Sequence, residues 1–377
     1  MNNKSIHIVT HEPPFPVDFG GVFDLFYKIK TLHSLGVQIH LHCFSKDGKE
    51  QPILNRYCAS VQYYPRKNTF SFSKFFLPFI VQSRINNALT KDLLKDDYPI
   101  IIEGIHCSYP VFTRKLSTKK VIVRLHNVEF NYYRQLARYE KNLIKKCYFL
   151  IESVLLFFYE KKLSANASFW TVSELDKTIY HQKFHSSIQM DFIPVFLPWN
   201  DVNSSIGVGN YCLYHGNLSI NENEKAVTWL IKHVFSKIHV PFVVAGKNPS
   251  KRLKKTIYSY QHTCLVENPS EFEMDDLIKK AQINILPSFN KTGVKLKILN
   301  ALYNGRYCVT NQIAITGTGL EEACVVNETS EEFIKKIQEL MTKPYEKNDI
   351  KTRQVLLDKV YNNTINAMKI ISWMNEC

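Results

Sequence analysis

Short apolar runs alternate along this chain with longer stretches whose apolar residues recur at helical spacing. Ile6–Thr10 reads as a buried strand, followed by the proline-rich loop HEPPFPVDFGG and a helix over Val22–Leu35. Gly36 stops that helix and Val37–Phe44 alternates as a second strand, so a parallel strand–helix–strand unit opens the chain. Tyr98–Glu103, Lys119–Leu125 and Ala167–Val172 predict further strands, and Asn131–Ser164 predicts one long helix. Ser173 starts another helix as its N-cap. Residues 192–209, rich in Pro, Asn, Ser and Gly, read as a linker. The pattern then restarts with strand Tyr211–His215 and a helix over 222–235, with Val227, Leu230, Ile231 and Val234 on one face. Strand Val240–Ala245, a strand closing at Val266, helix Glu271–Ala281 and a strand ending at Leu286 follow, then helices Glu331–Met341 and Thr352–Trp373. This is an α/β chain of two domains, residues 1–195 and 196–354.

The most informative stretch is Leu286–Thr310, LPSFNKTGVKLKILNALYNGRYCVT. After the strand comes a loop holding Asn290, Lys291 and Gly293, then a helix with Thr292 as its expected N-cap and Gly305 as its stop. Val294, Ile298, Ala301 and Leu302 share a core face, while Gly293, Lys297, Asn300 and Asn304 share a polar one. A helix N-terminus offers unpaired N–H groups and positive potential, and glycine lets a phosphate approach the backbone. Lys295 and Lys297 in the first turns repel that dipole, a conflict that a bound anion would relieve. The plainer alternative is an ordinary strand–loop–helix with solvated lysines. Gly20-Gly21, at the mouth of the first helix, is a second anion-friendly position, though not a G-x-G-x-x-G dinucleotide motif. His126, in HNVEF directly after a strand, sits where open α/β sheets place ligands. His106 and His11 are further candidates of the same kind.

The 286–310 stretch resembles the donor-binding segment of retaining GT-B glycosyltransferases, of the glycosyltransferase family 4-like, bacterial surface-polysaccharide type. The matching residues are Pro287, Gly293, Val294, Lys295, Lys297, Leu299, Ala301, Leu302, Gly305, Val309 and Thr310. Gly216, Leu218, Asn223, Ala226, Trp229 and Leu230 resemble the opening of the second domain in that family, and His126-Asn127-Val128-Glu129 resembles its H-N-x-E. The chain departs from the pattern where the ribose-binding glutamate falls on Asn300 and an earlier acidic position falls on Thr292. The resemblance implies two Rossmann-like domains facing across a cleft, with residues of about 355–377 crossing back to complete the first. It also implies sugar transfer from a nucleotide sugar to a glycan or lipid-linked acceptor, with retention and no metal or cofactor. Lys295 and Lys297, helped by Lys247, would hold the diphosphate; Gly20, Gly21, Gly216 and Gly293 would allow close approach. Asn300, with Asn290 and Thr292 nearby, would meet the nucleotide, and His126 would lie at the sugar. Because two family positions lack their acid, a catalytically degenerate sugar-nucleotide-binding or partner subunit is the alternative.

Charge and composition narrow the partners. A formal net charge of +14 suits an anionic ligand such as a nucleotide sugar or anionic lipid. It is scattered rather than gathered in one basic segment, and no nucleic-acid motif is present. The nine cysteines form no C-x-x-C pair and no His/Cys cluster, so neither a zinc site nor a disulfide framework is expected, and the absence of a D-x-D motif argues against a metal clamp on a diphosphate. The opening MNNKSIHIVT is too polar for a secretory signal, pointing to the cytoplasm. No apolar run reaches the roughly 18–20 residues that a membrane span requires. Phe75, Phe76, Phe79 and Ile80, beside Lys74 and Arg84, could still form an interfacial anchor at the inner membrane face, against a buried helix as the alternative. For Asn131–Ser164, a helix packed on its domain is favoured over one facing a membrane.

Overall fold

The computed structural model describes residues 4–17, 20–67, 74–140, 142–184, 187–291 and 293–376. Thr292 therefore lies outside the described residues. The chain separates into two compact units, Met1–Pro198 with Tyr361–Cys377, and Trp199–Val360.

The first unit is a seven-stranded sheet. Its strands are β1 Ser5–Thr10, β2 Gln38–Ser45, β3 Ser60–Pro65, β4 Ile100–Glu103, β5 Val121–Leu125, β6 Ser168–Thr171 and β7 Met190–Phe192. They run in the order β3-β2-β1-β4-β5-β6-β7, every pairing parallel. β1 and β4 are buried along their whole length, as strands covered on both faces must be; β4 is apolar but for Glu103, while β1 also buries Ser5, His7 and Thr10. Helix Gly20–Ser34 returns the chain from β1 to β2. Its Leu25, Phe26, Ile29 and Leu32 fall on one face and are buried. Gly36 ends it at φ +79°, a left-handed conformation that costs glycine nothing. At the far end of the chain, Asn362 accepts from Ile365 N and starts helix Asn363–Asn375. Ala367, Ile370 and Ile371 of that helix join the core built on Ile6, Ile8 and Leu25. The C-terminus thus completes the first unit. The expected final helix is interrupted at this cap, with Lys347–Tyr361 preceding it.

The second unit is a six-stranded sheet of β8 Cys212–His215, β9 Phe242–Gly246, β10 Thr263–Glu267, β11 Ile283–Ile285, β12 Tyr307–Thr310 and β13 Val325–Val326. The order is β10-β9-β8-β11-β12-β13, again parallel throughout. Each sheet therefore has one point where chain order reverses, between β1 and β4 in the first and between β8 and β11 in the second. Loops on either side of such a point diverge at the carboxyl ends of the strands and leave a crevice, where doubly wound sheets bind ligands.

Two sequence expectations are corrected. Asn131–Ser164 is two helices, Glu129–Tyr139 and Leu143–Ser164, and the second is packed in an unexpected sense. It buries Glu152 and Glu160, whose side-chain oxygens accept from Phe79 N and Phe130 N, while Ile144, Ile151, Val154 and Phe158 stay exposed. Of the four residues expected to form an interfacial anchor, Phe75 and Phe76 are exposed, but Ile80 is buried. Arg84 is buried with it, donating to the carbonyls of His11 and Ile80.

Candidate functional site

In the second unit the crevice between β8 and β11 is built around Lys297. Helix Leu296–Asn304 begins later than the sequence suggests, because Gly293 takes φ +66° and Lys295, its N-cap, stays extended. That late start places Lys297 in the first turn with its chain running inward. Its Nζ donates to Tyr214 Oη and Asn223 Oδ1, both at 2.8 Å, and lies 4.6 Å from the centre of the Tyr214 ring. Burial pushes the amine down to about 7; Lys295 adds to the fall, and only Glu222 opposes it. The site thus holds a lysine poised to gain a proton when a negative group arrives.

The surrounding loops are fixed by close backbone approach. Gly216 follows β8, and a Cβ there would lie 3.7 Å from Lys297 Cδ. A Cβ on Gly246, at the end of β9, would come within 1.9 Å of the Gly216 carbonyl oxygen, so only glycine fits. Leu218 N donates to the Lys247 carbonyl at 2.9 Å, tying the β8 and β9 loops together. Across the crevice Glu222 accepts from Ser288 Oγ at 2.5 Å and from Asn290 Nδ2 at 3.1 Å. Ser288 is in turn clasped by Asn311, which accepts from its N–H and donates to its carbonyl.

The structure therefore brings Gly216, Asn290 and Lys297, with the start of the helix that carries Lys297, to one place. Lys247 has an exposed side chain and contributes its carbonyl. Asn300 is directed along the helix, accepting from Asn304 Nδ2 at 2.8 Å. Sequence reasoning missed Tyr214, Glu222 and Ser288. Their signal was faint: a tyrosine in a strand end, and a Glu-Asn pair opening the next helix.

In the first unit His126 follows β5 and is half-buried. Its Nε2 lies 2.9 Å from Glu103 Oε2 at the end of β4, and its Nδ1 lies 3.7 Å from Asp24 Oδ2. Behind it is a buried ion network. Lys28 pairs with Glu103, and Arg124 pairs with Asp24 while donating to the carbonyls of Ile193 and Pro194. Burial alone would raise the Glu103 carboxyl, but Lys28, the His126 hydrogen bond and Arg124 hold it well below its usual range. Asp24, Glu103 and His126 lie close enough to share a cation. However, both carboxylates are already compensated by Lys28 and Arg124, so a divalent ion would add buried charge without a counter-charge. Gly20 and Gly21 open the helix that carries Asp24 and Lys28, and a Cβ on Gly21 would meet only open space.

These two parallel sheets define a class. The chain resembles sucrose-phosphate synthase from Thermosynechococcus elongatus, at 12% identity, with a TM-score of 0.72 over 98% of each chain. It also resembles Anabaena HepE in complex with UDP and glucose, at 11% identity, with a TM-score of 0.64 over 97% of this chain and 98% of that one. The fold is GT-B. Within it, residues 209–343 match the family model of Glycosyl transferases group 1, the stretch that holds Gly216, Asn290 and Lys297. A relative from Klebsiella pneumoniae, described as an uncharacterized 44.6 kDa protein in the cps region, is 29% identical over 331 residues, 83% of this chain and 84% of its own. Family match and fold together support sugar transfer.

Proposed function

We propose that this protein transfers a sugar from a nucleotide-sugar donor to a glycan or lipid-linked acceptor, with retention of configuration and without a metal. The observation that carries the proposal is Lys297. A lysine held near neutrality by burial, gripped by Tyr214 and Asn223 at a sheet's reversal point, is suited to a leaving diphosphate. As the bond to the sugar breaks, charge develops on the β-phosphate, and the amine meets it in its protonated form. The first-turn N–H groups beside it and Lys295 would share that charge, which is why no metal is required. Support for a uridine diphosphate donor comes from HepE, whose structure holds UDP and glucose. His126, its Nε2 fixed by Glu103, is the residue we assign to the donor sugar, and front-face departure of the phosphate would give retention.

One observation favours a second reading. Asn300 stands where a ribose-binding carboxylate is expected and is engaged with Asn304, which suits a sugar-nucleotide-binding subunit that does not turn over. Incubating the protein and an Asn300→Glu variant with UDP-, GDP- and ADP-sugars, and following nucleotide release by mass spectrometry, separates the two. A transferase releases nucleotide diphosphate, faster when acceptor is added; a binder shows affinity and no release in either form.

Work at a membrane surface is part of the proposal. Among the described residues no helix is long and apolar enough to cross a membrane. Yet Ile144, Ile151, Val154 and Phe158 form an exposed apolar face, and Arg134, Arg138 and Lys146 line an adjoining hollow. Apolar area edged with cations fits an anionic bilayer. Co-sedimentation with vesicles containing phosphatidylglycerol, lost in an Ile144→Glu/Ile151→Glu variant, is the expected outcome; equal pelleting of both proteins would refute it.

A further inference from the structure

The first unit has a second group of side chains that the donor chemistry leaves unused. Its sheet reverses chain order between β1 and β4. His11 follows β1 and His106 lies just past β4, and their rings stack across this point with centroids 4.5 Å apart and an interplanar angle of 19°. Gly104 permits the arrangement: at φ +75°, a Cβ there would fall 2.9 Å from His106 Nδ1. Arg66 follows β3, and Arg84 reaches in from the loop beyond helix Phe79–Gln82. Both lie within electrostatic reach of Glu12 and His106. Four groups that recognise anions thus converge on the carboxyl edge of a parallel sheet, at the place where such sheets bind ligands.

Three of their polar atoms have no partner. His11 Nδ1, His106 Nδ1 and Arg66 Nε are all shut off from solvent without a hydrogen bond. Leaving such atoms unpaired is costly, so three in one cluster indicate a missing ligand rather than a finished core. The charges agree. Among the described residues, the carboxylate that Arg66 and Arg84 act on is Glu12, and it is committed to His11 Nε2 at 2.8 Å. The neighbouring network of Asp24, Glu103, Lys28 and Arg124 neutralises itself. Among the described residues, one positive charge is left over. Arg84 spends Nε on the His11 carbonyl and Nη1 on Ile80 and Ser83, which fixes the guanidinium in place. Burial first, and then the surrounding cations, hold His106 well below its ordinary range, so its ring is neutral and free to donate.

We propose that this cluster binds an oxyanion, a phosphate or a carboxylate, carried by the sugar acceptor, with Arg66, Arg84, His11 and His106 as its ligands. The word acceptor rests on the transferase reading above; the anion site does not.

The test is calorimetric titration of the full chain with α-glucose 1-phosphate, glucuronate and methyl α-glucoside, each with and without saturating UDP. At least one of the anionic sugars is expected to bind about tenfold or more tightly than the neutral glucoside, as charge-assisted hydrogen bonds require. Preference for glucose 1-phosphate assigns a phosphate and preference for glucuronate assigns a carboxylate. Arg66→Gln, which breaks no described hydrogen bond, should abolish that preference and leave UDP binding unchanged. Lys297→Met should do the reverse. Equal binding of all the sugars, an anion preference untouched by Arg66→Gln, or one removed by UDP and Lys297→Met, would each overturn the proposal. If the anion preference holds while no UDP binds, the donor reading fails and the anion site stands.

Discussion

Replacing Lys297 tests the donor site most quantitatively. Its amine sits at about 7 in the unliganded protein because burial disfavours the charge. A diphosphate beside it would restore the ordinary basicity, so binding must take up a proton wherever the free amine is neutral. The uptake should be about half a proton at pH 7 and about nine-tenths at pH 8. The sign follows: binding favours the protonated amine, so affinity falls as pH rises above about 7, by up to roughly tenfold per unit. UDP-glucose is the right probe, since its diphosphate does not titrate in this range. Titration calorimetry in buffers of different ionisation enthalpy reads the uptake directly. Lys297→Met keeps the bulk against Tyr214 but removes the charged hydrogen bonds, worth about 1.5–3 kcal/mol, so Kd should rise roughly ten- to hundredfold. The pH dependence should vanish with it. A variant that binds within twofold of the parent, or a parent that takes up no proton at pH 8, would refute the reasoning.

Other expectations are briefer. His126→Gln should lower turnover about a hundredfold or more with little loss of stability, because Glu103 keeps Lys28 and Arg124; an unchanged rate would remove His126 from the site. Gly246→Ala should destabilise the protein by about 1–3 kcal/mol through the clash with the Gly216 carbonyl, as read by urea denaturation. Gly21→Ala, by contrast, should leave stability intact and lower turnover if a phosphate uses that open space; unaltered turnover would rule out close approach there. Glu160 is raised to about 8 by burial, so it stays protonated in the folded state at neutral pH. The stability it allows at low pH is lost as pH climbs from about 4.5 towards 8, at about 1.4 kcal/mol per unit. Glu160→Gln should therefore raise Tm more at pH 8 than at pH 5, and an equal rise at both would contradict this.

Strands buried on both faces were legible, because near-continuous apolar runs such as IHIV and IIIE are hard to place elsewhere. β3, β7, β12 and β13 were not: the first is mixed and tyrosine-rich, and the other three are only two to four residues long. The helix of Lys297 was found but started too early, since Gly293 and the extended Lys295 delay it without any change in apolar spacing. The glutamates of helix Leu143–Ser164 read as solvent-facing in sequence, yet they cap neighbouring helices, a tertiary role that periodicity does not encode. The same limit applies to the site. Lys297, Gly216 and Asn290 carried local signatures, whereas Glu222 and Tyr214 gain their meaning only when β8 and β11 lie side by side.

The central claim is that the crevice between β8 and β11 binds the diphosphate of a nucleotide sugar. Thermal unfolding of the parent and of Lys297→Met against a panel of UDP-, GDP- and ADP-sugars tests it most directly. At a hundredfold excess over Kd, a ligand bound only to the folded state adds about 2.7 kcal/mol, which corresponds to a rise of about 3–8 °C for a chain or unit of this size. At least one donor should produce that rise in the parent, and Lys297→Met should lose most of it. A panel that leaves the parent's Tm unmoved, or shifts both proteins equally, would contradict the account.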